Sequence, residues 1–198
     1  PDAYRDLPQL IHTVDEGYKA VNVFLSREET YADIAPMRLD SNGVTALISI
    51  MRGCDNMCSF CVVTFTRGRE RSRSAFTILA EAQQLFEQGY REVTLLGQNV
   101  NSYHFKDDRL DMDFSDLLIE VAKINPSLRV RFTTSHPKDF NLDLIKIIKD
   151  SNKICEHIHL PLQSGSDKIL KKMNRKYNMQ QYYNIINYIR KVVIILKK

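Results

Sequence analysis

Three closely spaced cysteines are the residues in this sequence best suited to chemistry. Cys54, Cys58 and Cys61 stand at C-x-x-x-C-x-x-C spacing within one short stretch. Thiolates are soft ligands that select iron–sulfur clusters, zinc or copper(I). A four-iron cluster held by three thiolates from one loop would keep one iron without a protein ligand, and chemistry can take place at that iron. Phe60, just before the last cysteine, would add an apolar surface beside it.

Three other uses of these cysteines compete with such a cluster. A disulfide pair plus a free thiol is disfavoured, because the cysteines share one loop and no secretory signal is visible. A zinc site normally takes four ligands, so Cys155 or a distant histidine would have to complete it. A simple electron carrier normally holds its cluster with four cysteines. The spacing therefore favours a cluster with one open iron.

The segments around the cysteines alternate between strand and helix patterns. Apolar or alternating stretches predict strands over 44–50, 92–96, 129–134 and 157–160, of which 44–50 is rich in β-branched residues. Apolar stripes at helical spacing predict helices over 78–86, 114–122, 142–149, 166–173 and 179–190, with Asp113 as a cap and a further helix starting near Leu7. The tail Val192–Leu196 fits either a fifth strand or the end of the last helix.

This alternation predicts an α/β fold of right-handed βαβ units around a parallel sheet. About four βα units are present, too few for a closed eight-stranded barrel, which typically needs ~250 residues. The sequence thus predicts a parallel α/β domain over residues 41–198 that is not a closed barrel, and residues 1–40 contain no cluster of catalytic residue types.

Polar residues follow the predicted strands where each strand ends. Gln98 and Asn99 follow the second strand, Ser135 the third and Gln163 the fourth, while the cysteine loop follows the first. Ligands of parallel α/β folds bind at the carboxyl ends of the strands. Single polar residues after a strand are usually turn formers, so the shared location, more than any one residue, predicts a cofactor site here.

The other candidate metal ligands have simpler interpretations. His157 and His159 alternate along the predicted fourth strand, where hydrogen-bonded structural histidines are commoner than metal ligands. His136 precedes Pro137 and is interpreted as a turn residue. Cys155 is interpreted as a buried or edge thiol.

Positive charge is concentrated in two places, although the formal net charge is only +4. Nine Lys or Arg and no acid lie between Lys168 and Lys198, a pattern typical of a solvated helix face. The second cluster is Arg67, Arg69, Arg71 and Arg73. Such clusters suit phosphate backbones, so these four arginines are predicted nucleic-acid contacts, with a solvated charged loop as the alternative.

Two general features bear on location. No apolar run approaches the ~20 residues that span a membrane. Cysteines that must stay reduced, with no visible secretory signal, predict a cytoplasmic protein.

The cysteine stretch and its flanks resemble a known family. The pattern C-x-x-x-C-x-aromatic-C is similar to the signature of radical SAM enzymes. The flanking segments 48–53 and 62–73 resemble the methylthiotransferase branch, most closely the MiaB-type tRNA enzymes. That branch usually has Pro and Tyr where this chain has Thr64 and Phe65. Neither position would be a ligand, so the resemblance tolerates both changes.

The resemblance implies the following roles. Cys54, Cys58 and Cys61 would ligate three irons of a [4Fe-4S] cluster, and S-adenosyl-L-methionine (SAM) would chelate the fourth. Phe60 would lie near the adenine. The polar residues at the strand ends would hold methionine and ribose; they are Gln98, Asn99, Ser135 and Gln163. Cleavage of SAM by one electron from a flavodoxin- or ferredoxin-like donor would give a radical that abstracts hydrogen.

The substrate implied is N6-isopentenyladenosine beside the tRNA anticodon, which gains a methylthio group at C2. The alternatives are an aspartate of a ribosomal protein, in the sister branch, or a non-catalytic zinc-stabilised RNA-binding module. In the family, a second cluster on an N-terminal domain handles the sulfur. The chain resembles the central part of such an enzyme. The resemblance implies that 41–198 are an incomplete core domain with a partial parallel (β/α) barrel of the radical SAM type, and that 1–40 are the linker and the tail of the N-terminal domain. We therefore expect this chain alone not to methylthiolate tRNA.

Overall fold

The computed structural model describes residues 2–32, 34 and 43–193. The strands are β1 Thr45–Ser49, β2 Met51–Arg52, β3 Arg71–Ser72, β4 Glu92–Leu96, β5 His104–Lys106, β6 Asp111–Asp113 and β7 Arg129–Thr133. The α-helices are α1 Leu7–Asp15, α2 Val63–Arg67, α3 Ala75–Glu87, α4 Phe114–Lys123, α5 Leu142–Asp150, α6 Asp167–Lys172 and α7 Met179–Val193. Short 3₁₀ helices cover Tyr4–Asp6, Val100–Ser102 and Pro137–Asp139.

A parallel sheet of three strands, in the order β1-β4-β7, forms the centre of the fold. Helices lie between these strands in the chain, because parallel neighbours need a crossover connection. One face of the sheet is apolar and buried; it carries Ala46, Ile48, Val93, Leu95, Val130 and Phe132. The α/β fold class predicted from the alternation is confirmed.

The helices cover this apolar face with the residues that the sequence stripes predict. Helix α4 buries Phe114, Leu117, Leu118 and Val121, and it begins in a capping box between Asp113 and Asp116. The side chain of Asp113 accepts from the backbone N–H of Asp116 at 2.9 Å, which satisfies one of the free donors at the helix start. Helices α3 and α5 flank α4 and add Ile78, Leu85, Leu144 and Ile148 to the same core.

Leu117 provides a test of this core. Its side chain is fully buried, so Leu117→Ala should lower the free energy of unfolding by about 2–5 kcal/mol through lost transfer energy and a residual cavity. Leu142→Ala, in the first turn of α5 and 46% exposed, should change it by less than about 0.5 kcal/mol. Urea unfolding of both variants measures the difference, and equal losses would contradict this account of the core.

The predicted fourth strand at 157–160 is not a strand in the structure. The fourth segment contacts the sheet through a single parallel bridge between Val130 and Ile154. The N–H of His157 then donates to the carbonyl of Cys155 at 2.8 Å, a tight turn that takes the chain out of the ladder. His159 contacts the sheet end through its carbonyl, which accepts from the N–H of Ser135 at 3.1 Å, and through its ring, whose Nδ1 lies 3.3 Å from Oγ1 of Thr133. The fourth unit is therefore extended chain followed by α6.

Residues outside the regular βα pattern add two antiparallel pairs, β2 with β3 and β5 with β6, that the periodicity did not indicate. The helix predicted near Leu7 is confirmed as α1. The domain boundary predicted near residue 40 lies outside the described residues. The apolar tail predicted at 192–196 begins inside α7, and 194–198 lie outside the described residues. Within the described part of the chain, no helix has the length and apolar character needed to cross a membrane.

Candidate metal centre and cofactor cleft

The cysteine loop is closed at its base by the β2–β3 pair. Met51 pairs with Ser72 and Arg52 pairs with Arg71, so both ends of the loop leave the sheet together. Gly53 then turns the chain with φ +71°, and a Cβ at this position would lie 2.0 Å from the carbonyl oxygen of Arg69. Only glycine allows this approach of two backbone segments. The tight base fixes where the three thiols stand.

All three thiols line one cleft beyond the carboxyl ends of β1, β4 and β7. The cleft has a volume of about 150 Å³. Its other lining residues are Asn56, Phe60, Val63, Gln98, Thr134, Ser135, His136, Pro161, Gln163 and Arg175. The four loops that the sequence predicted at one edge of the sheet therefore do meet there.

The polar residues predicted at the strand ends occupy different positions in this cleft. Gln98 and Gln163 line it, and half of the Phe60 side chain is exposed at its edge. Ser135 is 2% exposed, and its Oγ has no hydrogen-bond partner among the described residues. A buried hydroxyl without a partner is costly, so Ser135 is available to a bound ligand.

Asn99 lies beneath the cleft and does not line it. Its Nδ2 donates to Asp139 at 2.7 Å, and its Oδ1 accepts from the N–H of His136 at 3.1 Å. Both ends of the amide are thus used to hold the loop after β7. We therefore assign Asn99 a positioning role, in place of the direct cofactor contact that the sequence suggested.

The segment between α6 and α7 holds the cysteine loop from the far side. Ser59 donates twice to it, from its N–H to the carbonyl of Met173 at 3.1 Å and from its Oγ to that of Lys172 at 2.9 Å. Asn174 donates from Nδ2 to the carbonyl of Met57 at 2.8 Å, and Arg175 donates from Nη1 to Sγ of Cys58 at 3.3 Å. Sequence reasoning missed this segment, because its contacts span 113 to 117 residues and show no local pattern.

The thiols themselves are suited to metal binding. All three are free and partly buried. Burial raises the pKa of the Cys54 thiol above its ordinary value, while hydrogen bonds from Asn56 oppose the rise. A metal must displace that proton, because the thiolate is the ligand. Within the described ranges no three His, Cys, Asp or Glu side chains converge on one metal ion. A cubane spreads its three thiolates over three irons, so it does not require that convergence.

His136 contributes a neutral ring to the cleft wall. Burial lowers its pKa to about 3, and the nearby charges of Arg175 and Lys138 act in the same direction. The imidazole is therefore uncharged at neutral pH. Its Nδ1 accepts from the N–H of Lys138 at 3.1 Å, which places the ring proton on Nε2. The predicted turn role is confirmed by its position at the start of the 3₁₀ helix after β7.

The other candidate ligands lie outside this cleft. His157 and His159 are exposed, and Nδ1 of His159 lies 3.3 Å from Oγ1 of Thr133. Cys155 is 7% exposed, with its Sγ 4.0 Å from the Glu92 carboxylate, as expected of a buried thiol.

The arginine cluster divides into two pairs. Arg67 and Arg69 are exposed, and Arg69 forms an ion pair with Asp55 at 2.8 Å. Arg71 is buried and paired with Asp2 at 3.2 Å, while Arg73 is paired with Glu81 at 2.5 Å. The structure therefore uses Arg71 and Arg73 to fasten the start of the chain and helix α3. Only Arg67 and Arg69 are placed where a phosphate could reach them.

Comparisons with known proteins agree with this site. Residues 48–196 match the Radical SAM superfamily. A relative from Amoebophilus asiaticus, named tRNA-2-methylthio-N(6)-dimethylallyladenosine synthase, is 60% identical over 98% of this chain. A relative of the same name from Christiangramia forsetii is 52% identical over 98%. The chain spans 42% and 43% of the lengths of these two relatives.

Solved structures resemble the fold at low sequence identity. The radical SAM methyltransferase TsrM from Kitasatospora setae, with tryptophan and a SAM analogue bound, aligns with a TM-score of 0.65 at 15% identity, covering 96% of this chain and 42% of its own. The cobalamin-dependent radical SAM enzyme OxsB aligns with a TM-score of 0.55 at 14% identity, covering 72% and 22%. The residues that match the family include the whole cysteine loop and most of the parallel sheet, and the chain belongs to the radical SAM superfamily.

Proposed function

We propose that this chain is the radical SAM portion of a tRNA methylthiotransferase that modifies N6-isopentenyladenosine next to the anticodon. The observation that carries the proposal is the cleft itself, in which three free thiols from one loop meet polar side chains from the ends of the other strands. The names of relatives at 52–60% identity supply the substrate. In this proposal residues 1–40 are the linker and the tail of an N-terminal domain, and 41–198 belong to the radical SAM core domain.

The residues of the cleft fit a [4Fe-4S] cluster and SAM. Cys54, Cys58 and Cys61 would hold three irons. When bound, the cluster and SAM would supply the radical chemistry. Reductive cleavage of SAM would give methionine and a radical that abstracts hydrogen from an unreactive carbon. Ser135 offers its unpartnered hydroxyl and Gln163 its amide to the polar parts of SAM. An exposed aromatic surface on Phe60 suits an adenine ring.

Part of the cleft wall is uncharged. Neutral His136 and apolar Val63 line it, and an uncharged wall reduces the contact of a reactive species with water. A flavodoxin- or ferredoxin-like protein is the electron donor in this proposal. Reduced thiols and a tRNA substrate suit the cytoplasm.

Cofactor chemistry can be tested directly. Anaerobic reconstitution with iron and sulfide should give about four irons per chain, and added SAM with reductant should give methionine and 5′-deoxyadenosine. Bound zinc without sulfide would instead support the RNA-binding alternative.

The substrate assignment can be tested with a chimera, in which this chain replaces the matching segment of the Amoebophilus asiaticus relative. Mass spectrometry of digested tRNA should then show 2-methylthio adenosine, whereas a folded, iron-loaded chimera without that product would overturn the substrate assignment.

The two exposed arginines give a prediction about tRNA binding. Replacing Arg67 and Arg69 together by Gln should weaken binding and reduce the slope of log K against log salt by roughly one unit for each phosphate that the variant no longer neutralises. Arg73→Gln is the matched control, because the Arg73 side chain is paired with Glu81 and is only 11% exposed, whereas the Arg69 side chain is 70% exposed. Filter binding over a salt series measures all three proteins. An unchanged slope in the double variant would favour a solvated loop.

A further inference from the structure

Arg175 is a buried cation aimed at one of the three thiols. It is 9% exposed, it lines the cleft, and its Nη1 lies 3.3 Å from Sγ of Cys58. A guanidinium is always charged and only donates hydrogen bonds. The contact is therefore a charged hydrogen bond to sulfur, of the kind that is strongest when the acceptor is an anion.

The guanidinium is held in this orientation from its other sides. Nε lies 3.4 Å from the hydroxyl of Tyr177, and Nη2 lies 3.5 Å from the carbonyl of Pro161. The ring of Tyr177 lies beneath it, with 5.2 Å between Cζ and the ring centroid, close enough for a cation–π contact. The hydroxyl of Tyr177 is itself fixed by the carbonyl of Leu162. Arg175 is thus oriented before any ligand arrives.

No carboxylate within the described ranges forms an ion pair with Arg175. A buried charge without a counter-charge is costly. The anion that completes this environment is the Cys58 thiolate, together with the negative charge of the cluster it would hold. His136, whose pKa burial and the charge of Arg175 lower, supplies no negative charge either, because its ring is neutral.

We propose that Arg175 is a positioning residue that sets the reduction potential of the cluster through its hydrogen bond to Cys58. This inference rests on the proposed function, since it requires the cluster. Reduction by one electron from the donor adds a negative charge, and a fixed buried cation stabilises the reduced state more than the oxidised state. Hydrogen bonds to sulfur and local charge are among the established determinants of these potentials. Arg175 would therefore make the cluster easier to reduce.

A purely structural role must be separated from this one. Asn174, the adjacent residue, braces the same loop through Met57 without contacting a sulfur. Lys176, the next residue along, carries the same charge as Arg175 but is exposed. Asn174→Ala therefore serves as the bracing control, and Lys176→Met serves as the charge control.

The experiment is a redox titration of the reconstituted protein, followed by electron paramagnetic resonance, with iron counted in parallel. Arg175→Met should keep about four irons. Its equilibrium between oxidised and reduced cluster should shift about tenfold toward the oxidised form, which corresponds to a midpoint potential about 59 mV lower. Arg175→Lys should recover most of the shift. Asn174→Ala and Lys176→Met should keep the wild-type potential.

Each other outcome has a definite meaning. An intact cluster at the wild-type potential in Arg175→Met would show that Arg175 only braces the loop. If Arg175→Met holds no iron, Arg175→Gln, of similar length, replaces it in the titration. Failure of both neutral variants to hold iron would also overturn the proposal, because Arg175 would then be needed for assembly. A wild-type chain without an iron–sulfur cluster would instead refute the proposed function.

Discussion

Replacing any one of Cys54, Cys58 or Cys61 by Ala should remove essentially all cluster absorbance and reduce iron from about four per chain to near zero after reconstitution. The reason is that each thiolate would hold a different iron, and no other described His, Cys, Asp or Glu side chain lies in the cleft lining except His136. A neutral His136, tied through Nδ1 to the N–H of Lys138, is poorly placed to substitute.

Cys155→Ala is the matched control, because it removes the fourth cysteine from a buried position beside Glu92, outside the cleft lining. This variant should keep its full iron content. Far-UV circular dichroism of all four variants checks that the fold persists. Loss of the cluster in Cys155→Ala alone, with the other three loaded, would refute the ligand assignment.

Gly53→Ala should disrupt both the loop and the cluster site without removing any ligand. The added Cβ would meet the backbone carbonyl of Arg69 at 2.0 Å, and φ +71° is itself unfavourable for alanine. Because the obstacle is backbone and not a flexible side chain, the β2–β3 closure must open. We expect a loss of about 3 kcal/mol or more in the free energy of unfolding, and a large loss of iron on reconstitution.

Gly89→Ala separates the two causes of that loss. Gly89 has φ +102° after α3, but a Cβ there would have no heavy atom within 4 Å. Gly89→Ala should lower the free energy of unfolding by about 1–3 kcal/mol through backbone strain alone, and it should leave the iron content unchanged. Urea unfolding and iron analysis measure both effects. If Gly53→Ala binds iron as well as Gly89→Ala does, the tight base of the loop is not what positions the thiols.

Cysteine spacing and hydrophobic periodicity determined the chemistry and most of the framework. The cysteines at C-x-x-x-C-x-x-C spacing lie close together in the sequence, so they indicate a thiolate-bound metal or cluster without knowledge of the tertiary structure. Three strands and the helices between them were equally readable, because burial of one face imposes a regular repeat on elements such as β4 and α4. The convergence of Gln98 and Ser135 on the cysteine loop followed from the geometry of parallel strands, and Gln163 reaches the same cleft although the segment before it is not a strand.

Contacts between distant segments were decided only by the tertiary structure. The alternation of two histidines with Ile158 and Leu160 resembles a strand, but the turn after Cys155 removes this segment from the ladder. Arg71 and Arg73 resemble phosphate ligands until their partners Asp2 and Glu81 are seen. Arg175 reaches Cys58 across 117 residues. Such pairings depend on which surfaces meet after folding, and neither residue type nor periodicity encodes the partner.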